Sequence, residues 1–317
     1  MDLDVFFAGT AGAVPTARRG LPATLVRRGG ERLLFDCGEG TQRQLVRSVG
    51  LADIDAIFLT HYHLDHWHGL TGLLKTFDLR DRDRPLSVHG PRGLAEALRI
   101  VRPLVGRLGY ELSLAEVAPG EPLAFDGYAV VPIATRHRTV SVGYAIVEDE
   151  RPGRFDAVLA ERLGVRPGPD FGRLQRGERV AGVAPGQVVG PPRAGRKIVL
   201  SGDTGPCEAI EVAAHEADLL VHEATFLAAE GDRAAHTGHS TARQAAELAA
   251  RAGVRMLALT HLSPRYTARQ VREEARAVLP GAVVPRDFDL IEIPFPERAE
   301  PRLVRWDEAA PLPAGPA

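Results

Sequence analysis

The stretch LTHYHLDHWHGL, residues 59–70, carries four of the chain's eleven histidines and one aspartate between His61 and His68. It continues AIFLT (56–60), a short apolar run that reads as a β-strand. Metal-ligating side chains belong at such a place, because a strand end holds the backbone rigid while the following loop turns side chains inward. Side chains alternate along an extended chain, so His61 and His63 can share a face while Asp65 and His66, at the turn, face a second ion. Neutral imidazoles and carboxylates are the ligands zinc takes, and catalytic sites keep one position for water. A solvated, histidine-rich loop is the plainer alternative, and the regular H-x-H-x-D-H spacing behind a strand argues against it. His68 falls on the presumed helix behind the cluster and reads as structural or exposed.

Two ions need further ligands, and three later apolar runs end in them: YAVVPIATRH (128–137) in His137, KIVLSGD (197–203) in Asp203 and MLALTH (256–261) in His261. The assignment is His61, His63 and His137 on one ion and Asp65, His66 and His261 on the other, with Asp203 bridging. A carboxylate-bridged pair, typically about 3.5–4 Å apart, lowers the pKa of a shared water and clamps a phosphoryl oxygen. Taken alone, Asp203 reads equally as a turn cap in SGDTG. His89, His215 and His236 have no local constellation.

The chain has 317 residues, is 44% hydrophobic and 25% charged, and has a net charge of −2. That is enough to bury a substantial core, and the total charge gives no sign of a nucleic-acid partner. Two cysteines, Cys37 and Cys207, make no disulfide framework, so a reducing cytoplasm is expected. The N-terminus lacks a basic, then apolar leader, and no run approaches a membrane span, so a soluble protein with no membrane partner is expected. Runs of 5–8 residues rich in Val, Ile, Leu and Phe recur from LDVFFAG (3–9) to DFDLIEI (287–293), and helical periodicity is clearest at 92–105, 241–252 and 267–279. In TARQAAELAARAG (241–253), Thr241 or Ser240 suits an N-cap and Gly253 the stop. Early strands run close together and later ones alternate with helices, which suggests a layered α/β fold with sheets inside and helices outside.

Residues 149–196 break the pattern with Gly and Pro throughout. From Arg151 to Lys197 there are ten Arg and Lys against four Asp and Glu, so this segment is basic in an otherwise acidic chain. A structureless loop of that length is usually functional or mobile, and it reads as a protruding arm. The Pro/Ala-rich tail, residues 295–317, is expected to be loosely ordered. The domain reading is therefore 1–294 with the arm 149–196 inserted.

The order of these motifs resembles the metallo-β-lactamase superfamily and, within it, ribonuclease Z. H-x-H-x-D-H carries only the superfamily, which also contains thioesterases, lactonases, sulfatases and phosphodiesterases. FDCGEGTQRQL (35–45), GLTGLLKTF (69–77), SGDTGPC (201–207), VHEATF (221–226), HSTARQAAELA (239–249) and LTHLSPRY (259–266) resemble the narrower family's motifs. The resemblance runs from about residue 3 to 292. It implies a four-layer αβ/βα sandwich with an exosite arm, usually a homodimer, and it puts the seven ligands on the positions reached from the strand ends. It adds Glu223 and His239, which in such enzymes are implicated in proton donation. Cleaving a phosphodiester leaves an alkoxide that benefits from a general acid, and a histidine charged by a neighbouring carboxylate suits that task. Read without the resemblance, Glu223 could be a buried strand-end carboxylate and His239 a helix cap.

The implied activity is removal of 3′ trailers from precursor tRNA by a two-zinc endoribonuclease, with Mn2+ or Fe2+ as other ions the ligands accept. Metal-bound hydroxide, with Asp65 assisting as base, is expected to attack the phosphodiester 3′ of the discriminator, leaving a tRNA 3′-OH and a 5′-phosphate trailer. The resemblance also makes the basic arm a tRNA-gripping exosite. Arg166, Arg173, Arg176 and Arg179 would there contact phosphates without regard to sequence; a solvated charged loop is the alternative. The alternatives for the whole protein are a small-molecule phosphodiesterase or arylsulfatase of the same superfamily, which needs no exosite, and an idle RNA-binding homologue. The loop GTAGAVPTARRGLPA departs from the family's Pro-x-Lys-x-Arg-Asn: Pro15 and Arg19 remain, but Ala17 and Gly20 stand in the Lys and Asn places. Rejection of precursors that already encode CCA is therefore an open question. Leu64 stands where many relatives have Gly and leaves the ligand spacing intact.

Overall fold

The structure is a computed structural model that describes residues 1–51 and 53–306. Its strands are β1 (Leu3–Gly9), β2 (Ala23–Arg28), β3 (Glu31–Phe35), β4 (Ala56–Phe58), β5 (Leu86–Gly90), β6 (Leu112–Glu116), β7 (Leu123–Phe125), β8 (Tyr128–Ala134), β9 (Val142–Glu148), β10 (Lys197–Leu200), β11 (Leu219–Glu223), β12 (Leu257–Thr260), β13 (Leu290–Glu292) and β14 (Arg302–Val304). They form an eight-stranded sheet in the order β14-β13-β1-β2-β3-β4-β5-β6 and a six-stranded sheet in the order β12-β11-β10-β9-β8-β7.

Alternation along the strands builds the layers. In β1, Val5 and Phe7 join a buried cluster between the sheets with Phe35, Phe58, Tyr144, Ile146, Ile198 and Val221, while Phe6 and Ala8 point to the other face. That outer face packs on helices Leu70–Leu79 and Leu94–Val105 through Leu70, Leu73, Leu74, Phe77, Leu94 and Leu98. The second sheet carries helices Glu208–Ala214, Ala242–Ala252 and Ala268–Arg276 on its own outer face through Ile210, Ala245, Leu248 and Val271. The four-layer αβ/βα sandwich follows from strands apolar on both faces, which require cover on both sides. Among the described residues no helix is long and apolar enough to cross a membrane.

The three periodic segments are helices Leu94–Val105, Ala242–Ala252 and Ala268–Arg276. Of the two cap candidates, Thr241 takes the role: its side chain accepts from Gln244 N, the Gln244 side chain reciprocates, and Gly253 ends the helix at φ 66°.

Two expectations differ from what the structure holds. The arm is not structureless: helices Ala157–Arg162, Pro169–Gln175 and Pro185–Val188 enclose a small core of Ala160, Val165, Leu174, Val180, Val183 and Val188. Phe155 and Phe171 pack against it with ring centroids 4.8 Å apart. Its apolar residues are spaced too irregularly for a periodic signal, and Pro169 and Pro185 begin helices rather than break them. The tail after 294 is also ordered further than expected, because β14 pairs antiparallel with β13 and Trp306 packs edge-on to Phe6 at 6.2 Å. Residues 307–317 of that tail lie outside the described residues.

Both sheets present the same edge to the site. The chain leaves the C-terminal ends of β4, β8, β10, β11 and β12 there, and each exit delivers one or more polar side chains: His61, His137, Asp203, Glu223 and His261 in turn.

Candidate active site

Backbone geometry sets the first ligand group. His63 ends the extended segment after β4 at φ −67°, ψ 142°, and a single helical turn, Leu64–Trp67, then carries Asp65 and His66 back over the strand end. Gly38 and Gly69 let that turn dock: a Cβ on Gly38 would lie 2.2 Å from the Asp65 carbonyl oxygen, and one on Gly69 would lie 2.0 Å from the Gly38 carbonyl oxygen.

The seven expected ligands converge. His61 Nε2 and His63 Nδ1 are 2.9 Å apart, and His137 Nε2 is 3.3 Å from His63 Nδ1. On the other side, His66 Nε2 and His261 Nε2 are 3.3 Å apart, with Asp65 Oδ2 at 3.5 Å from the first and 3.4 Å from the second. Asp203 Oδ2 lies between the groups, 3.3 Å from His66, 3.3 Å from His261 and 3.8 Å from His61. His61, His63 and His137 form one potential metal-holding group, and Asp65, His66 and His261 form another.

What makes this a donor set, not merely a polar cluster, is the second ring nitrogen of four of the five histidines, all but His63, which faces the cluster through Nδ1. His61 Nδ1 meets Thr60 Oγ1 at 3.0 Å, His66 Nδ1 meets Asp36 Oδ2 at 2.8 Å, His137 Nδ1 meets the Gly238 carbonyl at 2.8 Å, and His261 Nδ1 meets Thr225 Oγ1 at 2.8 Å. Each Nε2 is thereby turned inward, the pattern that fixes tautomer and orientation in metal sites. Burial and the neighbouring His66 hold His61 well below the ordinary histidine pKa, and burial and His137 lower that of His63, so both favour the neutral imidazole. Burial opposes charge on His66 too, but the Asp203 and Asp36 carboxylates outweigh it and raise its pKa. Carboxylates concentrated among inward-facing imidazoles are a site for a cation, and the residues present fit divalent metal ions.

Glu223 and His239 stand beside this cluster. Buried Glu223 accepts from His239 Nδ1 and Thr204 N, both at 2.8 Å, and from Thr225 Oγ1 at 2.6 Å. Its side chain is fully committed, and so is the orientation of His239. Burial works against charge on His239, yet Glu223 and then Asp203 overcome it and push the pKa up to about 9. His239 Nδ1 is 3.8 Å from Asp203 Oδ2, and the side chain keeps 15% exposure, so it reaches both the cluster and the solvent.

Asp36, Thr60 and Thr225 were not singled out in the sequence. Asp36 sits at φ 58°, just past β3, and accepts from Thr60 N at 2.8 Å and Thr60 Oγ1 at 3.0 Å as well as from His66. The signal was present as a carboxylate closing the apolar run RLLFD, the same pattern that located Asp203. His261 also has positive φ, 56°, and its ring packs on Gly12, where a Cβ would lie 2.5 Å from Nδ1. His68, by contrast, is exposed and outside every donor group. His89 belongs to the core, stacked on Phe58 at 4.7 Å.

The four arm arginines are elsewhere, all exposed on the arm. Arg173 is held by Glu178 at 2.8 Å and Asp170 at 3.3 Å, and Arg176 lies 3.6 Å from Glu178. Arg179 bonds only the Gly182 carbonyl, and Arg166 has no side-chain partner among the described residues. In the loop that departs from the family pattern, Arg19 turns inward, bonding the Pro285 carbonyl at 2.9 Å and Thr10 Oγ1.

Residues 31–262 match the β-lactamase superfamily domain. The chain is 49% identical over 310 residues to the ribonuclease Z of Halorubrum lacusprofundi, covering 95% of this chain and 100% of that one. It is 47% identical to that of Gemmatimonas aurantiaca, over 94% and 98% of the two chains, and 43% identical to that of Archaeoglobus fulgidus, over 92% and 98%. Among solved structures, the short form of human tRNase Z superposes with a TM-score of 0.68 at 30% identity, over 92% of this chain and 99% of that one. The metallo-β-lactamase fold protein YhfI from Bacillus subtilis, at 21% identity and a TM-score of 0.68, shares the fold over 92% of this chain and all of its own. Full-length similarity at this level, on a fold with this donor cluster, decides the family: the chain belongs to the ribonuclease Z family of the β-lactamase superfamily.

Proposed function

We propose that this protein is a zinc-dependent endoribonuclease that removes 3′ trailers from precursor tRNA, acting in the cytoplasm. The observation that carries the substrate class is the end-to-end similarity to relatives named ribonuclease Z, and the site supplies matching chemistry. In this reading His61, His63 and His137 would hold one ion and Asp65, His66 and His261 the other, with the Asp203 carboxylate shared between the two groups. Two such ions would supply Lewis acidity toward the phosphate oxygens and activate the attacking water. Asp65, fixed by the 2.8 Å bond from Ala13 N, would be the residue that accepts the proton of the attacking water. His239, held by Glu223 through Nδ1, presents its other nitrogen to the leaving ribose 3′-oxygen and donates the proton there.

The arm grips the tRNA body away from the scissile bond, with Arg166 and Arg179 as its least encumbered cations beside Arg173 and Arg176. Leu79, Ile100 and Leu104 are exposed by 73%, 64% and 79% on helices Leu70–Leu79 and Leu94–Val105, and this uncovered apolar surface supports assembly into a homodimer. The test is a comparison of two substrates with zinc present: a precursor tRNA with a 3′ trailer, and a small chromogenic phosphodiester. Cleavage of the precursor at sub-micromolar enzyme is expected. Turnover of the small diester with an untouched precursor would favour the small-molecule phosphodiesterase and overturn the proposal.

A further inference from the structure

The two strands of the arm's stem meet a loop from the far end of the chain, at the sheet edge opposite the donor cluster. The stem leaves β9 at Glu148 and re-enters β10 at Lys197. Between them Arg151 and Arg193 pair antiparallel, with Arg151 N donating to the Arg193 carbonyl at 2.7 Å and Arg193 N to the Arg151 carbonyl at 2.9 Å. Phe155 and Val189 bridge in the same way beyond them. The strands run so close that a Cβ on Gly153 would lie 1.8 Å from the Gly190 carbonyl oxygen. A ribbon of only two strands has little stiffness of its own, since isolated two-stranded hairpins are marginal in water.

That pairing brings the Arg151 and Arg193 side chains onto one acid. Glu297 Oε1 accepts from Arg151 Nη1 and from Arg193 Nη1, both at 2.8 Å, and Glu297 Oε2 accepts from Arg151 Nη2 at 3.1 Å. The Arg151 guanidinium also lies over the Phe295 ring, 3.5 Å from its centroid, and that of buried Arg196 lies at 4.1 Å. A cation over an aromatic face is attracted by the ring quadrupole. The loop that carries Phe295 and Glu297 is itself fixed at both ends. Ile293 N donates to the Leu3 carbonyl at 2.9 Å before it, and Arg255, paired with Asp218 at 2.6 Å, donates to the Ala299 carbonyl at 2.7 Å after it. An arm whose small core is its own is thus pinned at its base by side chains of the sandwich's last loop.

We propose that Phe295 and Glu297 clamp the base of the arm and set its direction relative to the catalytic face, which makes them positioning residues for cleavage of the RNA. The inference rests on the proposed function, in which the arm holds one part of the substrate and the donor cluster cuts another. A substrate held at two places is bound with an effective concentration set by how stiffly those places are linked. Freed from the clamp, the arm would sample directions from which the held RNA does not reach the cluster. A small diester, bound at the cluster alone, is indifferent to the arm's direction. Electrostatics alone predict the opposite for the acid. Glu297 is a negative charge at the root of a basic arm, and its removal by itself should strengthen attraction to phosphates. Clamping and simple charge therefore differ in sign.

The test uses Glu297→Gln in the full chain, with Phe295→Leu as a second variant. The Glu297 side chain keeps 27% exposure, so a melting temperature close to that of the wild type is expected. Amide hydrogen exchange, read by mass spectrometry, should quicken in stem residues 150–156 and 188–194 and stay unchanged in β9 and β10. KM for precursor tRNA should rise about fivefold in both variants, the scale of a partly exposed ion pair, with kcat and turnover of a small chromogenic diester unchanged. A fall in KM for Glu297→Gln would mean that its charge acts directly on the RNA, and would overturn the inference. So would an unchanged KM in both variants, or an equal loss of turnover with both substrates, which would make the contact a support of the sandwich. If the wild-type protein cuts no precursor while stem exchange still quickens in the variants, the proposed function falls and the clamp stands.

Discussion

Asp203 Oδ2 lies within 3.8 Å of a nitrogen on His61, His66 and His261, so one carboxylate joins both donor groups. Removing it should affect both ions at once: Asp203→Ala is expected to abolish cleavage and lower the bound metal measured by elemental analysis. Retained activity with two metals bound would contradict the bridging role. His239 should behave differently, because its ring is held by the 2.8 Å bond to Glu223, with Asp203 further off at 3.8 Å. His239→Ala is expected to slow cleavage by about 10²–10⁴-fold with near-normal metal content, and less for a diester whose leaving group needs no proton. Metal loss in that variant would make His239 a ligand. Asp36 acts through His66 and is a positioning residue. Asp36→Ala should weaken metal binding by about 10–100-fold, measured by competition with a chelator. The converging positions were legible in the sequence because His61, His137, Asp203 and His261 close apolar runs, and His63, Asp65 and His66 follow the first of them at regular spacing. Their orienting partners, Thr60, Thr225 and the Gly238 carbonyl, were not: a hydroxyl or a backbone carbonyl carries no pattern that says which ring it faces.

At the scale of elements, most core strands were legible because their Val, Ile, Leu and Phe are buried on both faces. The strands β6, β7 and β14 were not, because LSLAE, LAF and RLV are short and mostly exposed or half-buried, so burial leaves little imprint on their composition. The arm shows the converse. Its charge was legible, while its fold rests on six scattered apolar residues. Because that small core is its own, the arm should be removable. Deleting residues 155–190 is expected to abolish precursor cleavage while a small chromogenic diester is still turned over. Loss of both activities would mean that the arm supports the sandwich itself.

For the whole molecule, the arm's stem is tied to the sandwich through buried charge. Glu148, at the end of β9, accepts from Arg28 Nε at 3.0 Å and from Arg196 Nε at 2.7 Å, and Arg196 also reaches the Ile293 carbonyl at 2.9 Å. Burial raises the Glu148 pKa, but the bonds from Arg196 outweigh it and the net shift is downward from 4.5. A depressed carboxylate contributes stability above its unfolded pKa and loses it as pH falls through the folded one. Glu148→Gln should therefore cost about 3 kcal/mol near neutrality, as expected for a broken buried pair, with the gap from wild type closing below about pH 4.5. A gap that stays constant in acid would contradict the ionised pairing.

The layered fold and the donor cluster serve a single chemical event, the cut of a precursor tRNA. The most direct test maps that cut, with end-group analysis, on precursors with and without an encoded CCA. One cut directly 3′ of the discriminator in the CCA-less precursor is expected, leaving a tRNA 3′-OH and a 5′-phosphate on the trailer. Scattered cuts, or a 2′,3′-cyclic phosphate on the tRNA, would contradict water-driven trailer removal at this site.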